Sequence, residues 1–304
     1  MMARIVGIGA NVCDTLITLK RYPAEDTKLK SEGVRRSGGG PVATGLVAAA
    51  KLGADCAYIG NLSDDADGAF LKDDFARFGV STEYCETLSG YRSFTSCIWL
   101  SEERATRTVV FDRGTLPGTT LDERTKKAIA DAAVLMVDGN DLDAAVVAAK
   151  IARENGTKVL YDAGGLYEGI ERLLPYADYL IPSEEFALRC TGAKSAEDAA
   201  KILFENYSPA VVVVTQGKRG GILFDGKTVR AYPAFPVHAV DSNGAGDVFH
   251  GAFAFALTRG FDADRACLLA SATSALKCKK TGARDGAPDY AAVTAFLKEN
   301  GYEL

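Results

Sequence analysis

Seven consecutive residues, Asp241-Ser242-Asn243-Gly244-Ala245-Gly246-Asp247, run directly into the apolar stretch Val248-Phe249-His250-Gly251-Ala252-Phe253. Gly244, Ala245 and Gly246 leave backbone N–H groups unshielded where a helix begins, and that end of a helix carries roughly +0.5 of a charge. An anionic phosphate is the natural occupant. Asp247, about one turn in, would stand beside a bound phosphoryl group, where a carboxylate accepts a hydroxyl proton as general base. The residues alone leave a plainer reading open, in which Asp241 or Asn243 caps the helix and Asp247 is an ordinary acidic first-turn residue. The chain has only two histidines, His238 and His250. That leaves little for histidine-rich metal sites and turns acid–base chemistry towards carboxylates.

Two further glycine-rich stretches imitate nucleotide motifs. Gly7-Ile8-Gly9-Ala10-Asn11-Val12 begins like a dinucleotide fingerprint, but Val12 stands where the third glycine must let helix and strand approach. Gly221-Ile222-Leu223-Phe224-Asp225-Gly226-Lys227-Thr228 matches a P-loop letter for letter. A P-loop needs a strand before it and a helix opening at its lysine. Here Ile-Leu-Phe reads as a strand, Asp225-Gly226 as a tight hairpin turn and Thr228–Tyr232 as the return strand, so a hairpin is expected.

The elements around these motifs alternate between short β-branched runs and longer segments of helical period, the pattern of parallel strands joined by crossover helices. Strands are expected at Arg4–Gly9, Ala57–Ile59, Val134–Val137, Lys158–Tyr161, Tyr179–Ile181 and Val211–Thr215. Helices are expected at Val42–Leu52, Leu142–Glu154 with Gly156 as its stop, Ala245–Thr258, Asp262–Lys279 and Tyr290–Glu299. Residues 14–36 and 92–111 break the alternation with apolar–polar repeats such as Ser96-Cys97-Ile98-Trp99-Leu100, as half-exposed antiparallel strands would show. Either a small β-sheet flap or a pair of hairpins on the main sheet edge accounts for them.

Composition bounds the class. The 304 residues are 47% hydrophobic and 25% charged, ordinary for a globular chain and long enough for one large domain or two smaller ones. A net charge of −5 gives no basic footprint for nucleic acid or anionic lipid. Seven cysteines without a CxxC pair point to a reducing compartment. Neither a signal peptide nor a membrane-spanning run is evident, so a cytoplasmic protein is expected. No repeat or long linker separates the two odd segments from the rest, and one folding unit spanning residues 1–304 is expected.

Four separated motifs, Gly38-Gly39-Gly40 before a helix, Thr215-Gln216-Gly217 after a buried strand, Asp241–Asp247, and Thr281-Gly282-Ala283, together resemble the ribokinase-like (pfkB) family of carbohydrate kinases. The resemblance runs from Gly7 to Pro288. It implies an α/β fold, a Rossmann-like mostly parallel sheet flanked by helices, with a small β-sheet lid formed by the segments at about 14–36 and 92–111. It also implies transfer of the γ-phosphoryl group of ATP, with Mg²⁺, to a hydroxyl of a sugar or nucleoside. By position, Asp247 matches the catalytic base, and Asn243, Gly244, Ala245 and Gly246 the turn whose amides form the anion hole. Asp14, with Asn11, Gly39, Gly40 and Thr44, falls where the sugar is bound. Thr215, Gly217 and Gly220 match the nucleotide-phosphate loop, and Ser271 and Ala275 the adenine pocket. Asp241, Asn243, Gly282 and Gly286 fall where many members bind a monovalent cation, which brings K⁺ into consideration. Some relatives share the exposed lid face in a homodimer.

The chain departs from the family pattern in two places. Thr44 replaces an asparagine often found after the glycine pair. The Asn-x-x-Glu motif linked to magnesium reads Ser183-Glu184-Glu185-Phe186, so either Glu184 or Glu185 serves from a shifted register or the metal is held mainly by ATP and water. The segments 38–44, 246–251 and 275–278 look most like the branch that includes sulfofructose kinase, yet Asn140 stands where that enzyme's sulfonate-binding arginine is sought. An unidentified small carbohydrate, with a ketose or sugar derivative favoured, is therefore the expected acceptor, phosphorylated at a primary hydroxyl. Arg92 and Arg113 are candidates to meet an acidic acceptor, although exposed charges that keep the flap soluble are the favoured reading of both. His250 reads as a packed helix residue rather than a second base. The alternatives are a nucleoside kinase, with an aromatic wall drawn from Tyr22, Phe94 or Trp99, and a non-catalytic sugar- or nucleotide-binding protein.

Overall fold

The run Val211-Val212-Val213-Val214 sends alternate side chains into two different cores, Val211 and Val213 to one and Val212 and Val214 to the other. A strand buried on both faces reads as a continuous apolar run, and the central sheet is made of such strands. The computed structural model describes residues 4–104 and 106–304.

In chain order the elements are β1 (Arg4–Ile8), β2 (Val12–Leu19), β3 (Gly33–Gly39), α1 (Pro41–Lys51), β4 (Asp55–Ser63), α2 (Ala66–Arg77), β5 (Val80–Leu88), β6 (Thr95–Ser101) and β7 (Thr106–Asp112). There follow α3 (Glu123–Ala130), β8 (Val134–Val137), α4 (Leu142–Asn155), β9 (Lys158–Ala163), β10 (Tyr179–Pro182), α5 (Glu184–Thr191), α6 (Ala196–Tyr207), β11 (Val211–Thr215), β12 (Gly221–Phe224) and β13 (Val229–Tyr232). The chain ends in α7 (Ala245–Thr258), α8 (Ala263–Cys278), α9 (Ala283–Gly286) and α10 (Tyr290–Glu299).

Nine strands form the main sheet in the order β13-β12-β11-β10-β9-β8-β1-β4-β5. It is parallel from β11 to β5, and β12 and β13 close one edge antiparallel. Helices α1, α7, α8 and α10 cover one face around Ile5, Leu46, Phe253 and Leu297; α4 and α6 cover the other around Val6, Ile8, Ala148 and Leu203. Two glycines let α1 and α7 cross at close range: a Cβ at Gly251 would overlap the Gly45 carbonyl, and one at Gly45 would come within 2.6 Å of Met136 and 3.3 Å of the Asp247 carbonyl. That crossing fixes the first turns of α7 over the C-terminal ends of β1 and β8.

A separate four-stranded sheet, in the order β3-β2-β6-β7, stands over those strand ends. The flap, not the edge-hairpin arrangement, is therefore the one formed. The alternating segments do pair antiparallel within each hairpin, β2 with β3 and β6 with β7, but the two hairpins join through β2 and β6 in parallel. The false P-loop is a hairpin: β12 and β13 pair antiparallel around Asp225, whose carboxylate accepts the Lys227 and Thr228 N–H groups at 3.0 Å. The Gly7–Gly9 stretch owes its glycines to packing, since a Cβ at Gly7 would come within 2.6 Å of Val42 and one at Gly9 would overlap Asp138. All seven cysteines are unpaired, and among the described residues no helix is long and apolar enough to cross a membrane.

Candidate active site

The cavity between the two sheets has a volume of about 340 Å³ and is lined at one end by Asp14, Gly39, Gly40 and Ser96, at the other by Asn243 and Asp247. The parity of the flap strands puts Asp14, Ser96, Ile98, Arg107, Val109 and Phe111 on its inner face. A second cavity of about 470 Å³, lined by Ala239–Asn243 and by Ser101 and Thr106, shares Arg107, Val109 and Asn243 with the first.

At the Asp247 end, Gly244 caps α7 in the left-handed conformation, φ 75°, with no side-chain cap. The amides of Gly246 and Asp247 fall in the first turn, where an α-helix offers no carbonyl partner. Asp247 is half-buried. Burial first, and then the charge of Asp162, push its carboxyl well above the usual carboxylate range, while His250 and Arg107 oppose the shift. His250 is buried one turn further along, its Nδ1 2.7 Å from the Gly246 carbonyl and its Nε2 2.9 Å from the Ile181 carbonyl, with Asp162 Oδ2 3.1 Å from Nδ1. Both ring nitrogens face acceptors, so both carry protons. Burial alone would lower its pKa, but Asp162 and the Ile181 carbonyl raise it to about 9. His250 is thus a packed residue, as its sequence position suggests, and a buried cation.

At the other end, Asp14 is 5% exposed and its Oδ1 accepts from Ser96 Oγ at 2.6 Å. Burial pushes its carboxyl up to about 6 against the opposing Ser96 hydrogen bond and Arg284 charge. A Cβ at Gly39 would overlap Asp14 Oδ2, so only glycine lets the carboxylate lie there. Asp138, buried at the end of β8, accepts the Ala10 N–H at 2.9 Å and the Val42 N–H at 3.1 Å, pinning the β1–β2 turn to the start of α1.

Arg284 is the most highly connected of the residues to which the sequence did not point. It is 1% exposed and donates to Asp74 Oδ2 at 2.7 Å, Asn11 Oδ1 at 2.8 Å and the Gly39 carbonyl at 2.6 Å, tying α9 to α2 and to both strands at the hinge of the flap. Its only sequence signal is its place between Gly282 and Gly286. Asp138, Asp162, Ser96 and Lys277 were missed as well, all being short-range silent and meaningful only through distant partners.

Asn11, Thr44 and the residues expected at the nucleotide do not line the Asp14–Asp247 cavity. Asn11 spends its carbonyl on Arg284 and leaves Nδ2 unpartnered, lining a neighbouring cavity with Tyr58 and Asn140. Thr44 is completely buried beneath Gly244 and does not line the acceptor cavity. Thr215 ends β11, with Gly217 and Gly220 in the following turn at φ 57° and 81°. Ser271 and Ala275 are buried one turn apart on α8, and the Ser271 hydroxyl donates to the Pro233 carbonyl. Of the proposed aromatic wall only Phe94 lines the cavity, joined by Phe111 and Tyr167. Trp99 lies on the opposite face of the flap, and the Tyr22 hydroxyl is engaged at its rim with Thr106. Arg92 pairs with Asp112 at 2.7 Å on the surface, whereas Arg113 lines the cavity between the rings of Phe94, Phe111 and Tyr167.

The metal expectations fit poorly. Glu184 accepts from Gln216 Nε2 at 2.7 Å and is paired with Arg219; Glu185 is an exposed partner of Arg189. Phe186 is buried against Tyr161. Both glutamates are thus engaged by neighbouring side chains, Glu185 only in an exposed pair, and among the described residues no group of three or more His, Cys, Asp or Glu side chains is arranged for a metal. At the expected monovalent site, Asp241 already accepts the Asn243 N–H at 2.8 Å and the Gly282 N–H at 2.7 Å, and the Lys277 ammonium donates to its backbone oxygen. These residues do not fit an added K⁺.

A sequence model of the pfkB family carbohydrate kinase matches residues 2–290. The chain belongs to this family. It is similar to a ribokinase of Haemophilus influenzae, 26% identical with 98% of this chain and 99% of that protein covered. It is also similar to an ATP-dependent ribose-1-phosphate kinase of Halopiger xanaduensis, 27% identical over 98% of this chain and 99% of that protein. Among solved structures, an Agrobacterium tumefaciens protein provisionally assigned as a ribokinase superposes with a TM-score of 0.93 at 28% identity, both chains covered completely. This pfkB kinase is accordingly a phosphotransferase with a hydroxyl group as acceptor, built on the ribokinase-like fold with its small flap sheet serving as the lid.

Proposed function

We propose that this kinase transfers the γ-phosphoryl group of MgATP to a primary hydroxyl of a small carbohydrate, with a ketose or sugar derivative favoured. The observation that carries the reading is the single cavity with Asp14 at one end and Asp247, beside the free first-turn amides of α7, at the other. Asp14 accepts hydroxyl protons of the acceptor and orients it. Asp247 takes the proton of the attacking hydroxyl, and the amides of Gly246 and Asp247, with Arg107 above them, meet the charge that builds on the phosphoryl oxygens. Thr215, Gly217 and Gly220 hold the nucleotide phosphates, and Ser271 with Ala275 border the base. Mg²⁺, when bound with ATP, would neutralise phosphate charge, and with Glu184 and Glu185 engaged by neighbouring side chains it would be held mainly by ATP and water. Closing the lid excludes water and limits ATP hydrolysis.

Arg113, set among three rings at the cavity wall, favours an acceptor carrying an acidic substituent, and the ribose-1-phosphate relative acts on such a compound by name. Phe94 and Phe111, 5.8 Å apart and facing the cavity, favour the second reading, a nucleoside acceptor. A panel of neutral sugars, sugar acids, sugar phosphates and nucleosides, assayed for ADP release with MgATP, separates these. Release with no acceptor above background would leave a binding protein. The outer flap face carries Ile17 beside Val34 and Trp99, with Val34 64% and Val110 63% exposed. It fits a second copy of the chain, and a monomeric mass in sedimentation would exclude that homodimer.

A further inference from the structure

A lysine ammonium with no solvent contact lies under the α7 loop. Lys277 is 0% exposed; its Nζ donates to the Asp241 backbone oxygen at 2.6 Å and lies 3.7 Å from Asp241 Oδ2. A buried charge of this kind carries a large desolvation cost unless it is paired and hydrogen-bonded. Asp241 is that partner. Its carboxylate also holds the Asn243 and Gly282 amides, so one aspartate joins α8, the loop before α7 and the start of α9. On another side is Gly286, where an added Cβ would come within 3.3 Å of Lys277 Cε. The ammonium therefore sits on Asp241 and the lysine stem passes beside Gly286, two of the four positions, Asp241, Asn243, Gly282 and Gly286, at which family resemblance implies a monovalent cation. Two positive charges in so small a dry space repel strongly.

We propose that the Lys277 ammonium is a built-in substitute for a monovalent cation beneath the α7 N-terminal loop, so that this kinase folds and works without K⁺. The ammonium supplies the positive charge that Asp241 requires, and Asp241 in turn fixes the Asn243 amide and the path of the chain into Gly244–Gly246. The charged and titratable groups around Lys277 are Asp241, Cys278, Asp247 and Arg107. The catalytic half of the statement rests on the phosphotransferase reading; the structural half does not.

The test uses melting curves without substrate and initial rates with it, in KCl, NaCl and tetramethylammonium chloride at matched ionic strength. The proteins are wild type, Lys277→Ala and Lys277→Met. Wild type is expected to melt at the same temperature and turn over equally in all three salts. Lys277→Ala opens room for a cation and is expected to gain about 4 °C selectively in K⁺ or Na⁺ at roughly 100 times the dissociation constant. Lys277→Met, which fills the space without charge, is expected to gain nothing. Selective stabilisation or activation of the wild type by K⁺ overturns the proposal, and this measurement stands even where a variant fails to fold. Identical salt responses of the alanine and methionine variants also overturn it. Because the melting curves need no acceptor, a wrong substrate assignment leaves them interpretable.

Discussion

Replacing Asp14 by asparagine sets stability against function in one side chain. The carboxylate is buried, and burial lifts it from 3.8 to about 6. With the folded-state value raised, the folded chain holds more protons than the unfolded chain between about pH 4 and pH 6. The contribution of this group to stability therefore falls as pH rises through that window and stays lost above it. At about 1.4 kcal/mol per tenfold change in proton affinity, the ionised carboxylate costs about 3 kcal/mol at about pH 7.5 and roughly half of that at about pH 5. Asparagine keeps the acceptor oxygen for Ser96 and removes the charge. Asp14→Asn is expected to melt roughly 5 °C above wild type at about pH 7.5, with the gain shrinking by about half near pH 5. The same variant is expected to bind the sugar more weakly, seen as a raised KM for the acceptor with the KM for ATP little changed. Calorimetry at the two pH values, with steady-state kinetics, reads both effects. A variant less stable than wild type at about pH 7.5, or a gain independent of pH, would refute the reasoning.

Asp247→Asn is expected to lose most phosphoryl transfer, by about 10²-fold or more, while calorimetric ATP binding stays nearly intact; wild-type turnover would remove Asp247 as the base. The acid limb of kcat/KM is expected above the ordinary carboxylate range, because burial and Asp162 raise Asp247, and His250 contributes no separate loss of activity near neutral pH while it stays protonated. Gly39→Ala drives a methyl group into Asp14 Oδ2 and is expected to lower kcat/KM about 10²-fold through displacement of that carboxylate; an unchanged value would show that Asp14 does not touch the acceptor. Arg284→Met leaves Asp74 with Arg77 alone and is expected to cost about 3 kcal/mol in urea unfolding, with the Arg284→Met/Asp74→Leu double variant recovering much of it.

The central strands were legible because a parallel strand covered on both faces has to be apolar throughout, and runs such as Val134–Val137 and Val211–Thr215 fall where they were expected. The start of α7 was legible because its glycines and the acidic residue behind them carry a local, backbone-level signal, and Gly156 ends α4 in the left-handed conformation for the same local reason. Strand β5 was not seen: Val80-Ser81-Thr82-Glu83-Tyr84-Cys85-Glu86-Thr87-Leu88 is an edge strand, half exposed, and its charges hide the pattern. Nor could the parallel joining of β2 and β6 be read, since alternation gives a strand's two faces but not its neighbour's direction.

The sequence by itself determined the α/β class, the two-faced core strands, the hairpin at Asp225-Gly226 and Asp247 at the start of a helix. Each depends on residues within a turn or two of one another. Tertiary structure alone decided that Asp14 and Asp247 share a cavity, that Arg284 reaches Asp74 and Asn11 across 210 and 273 positions, and that Lys277 lies beneath Asp241. Buried polar groups must find partners wherever the fold brings them, and that pairing is a property of the packed chain that no local pattern records.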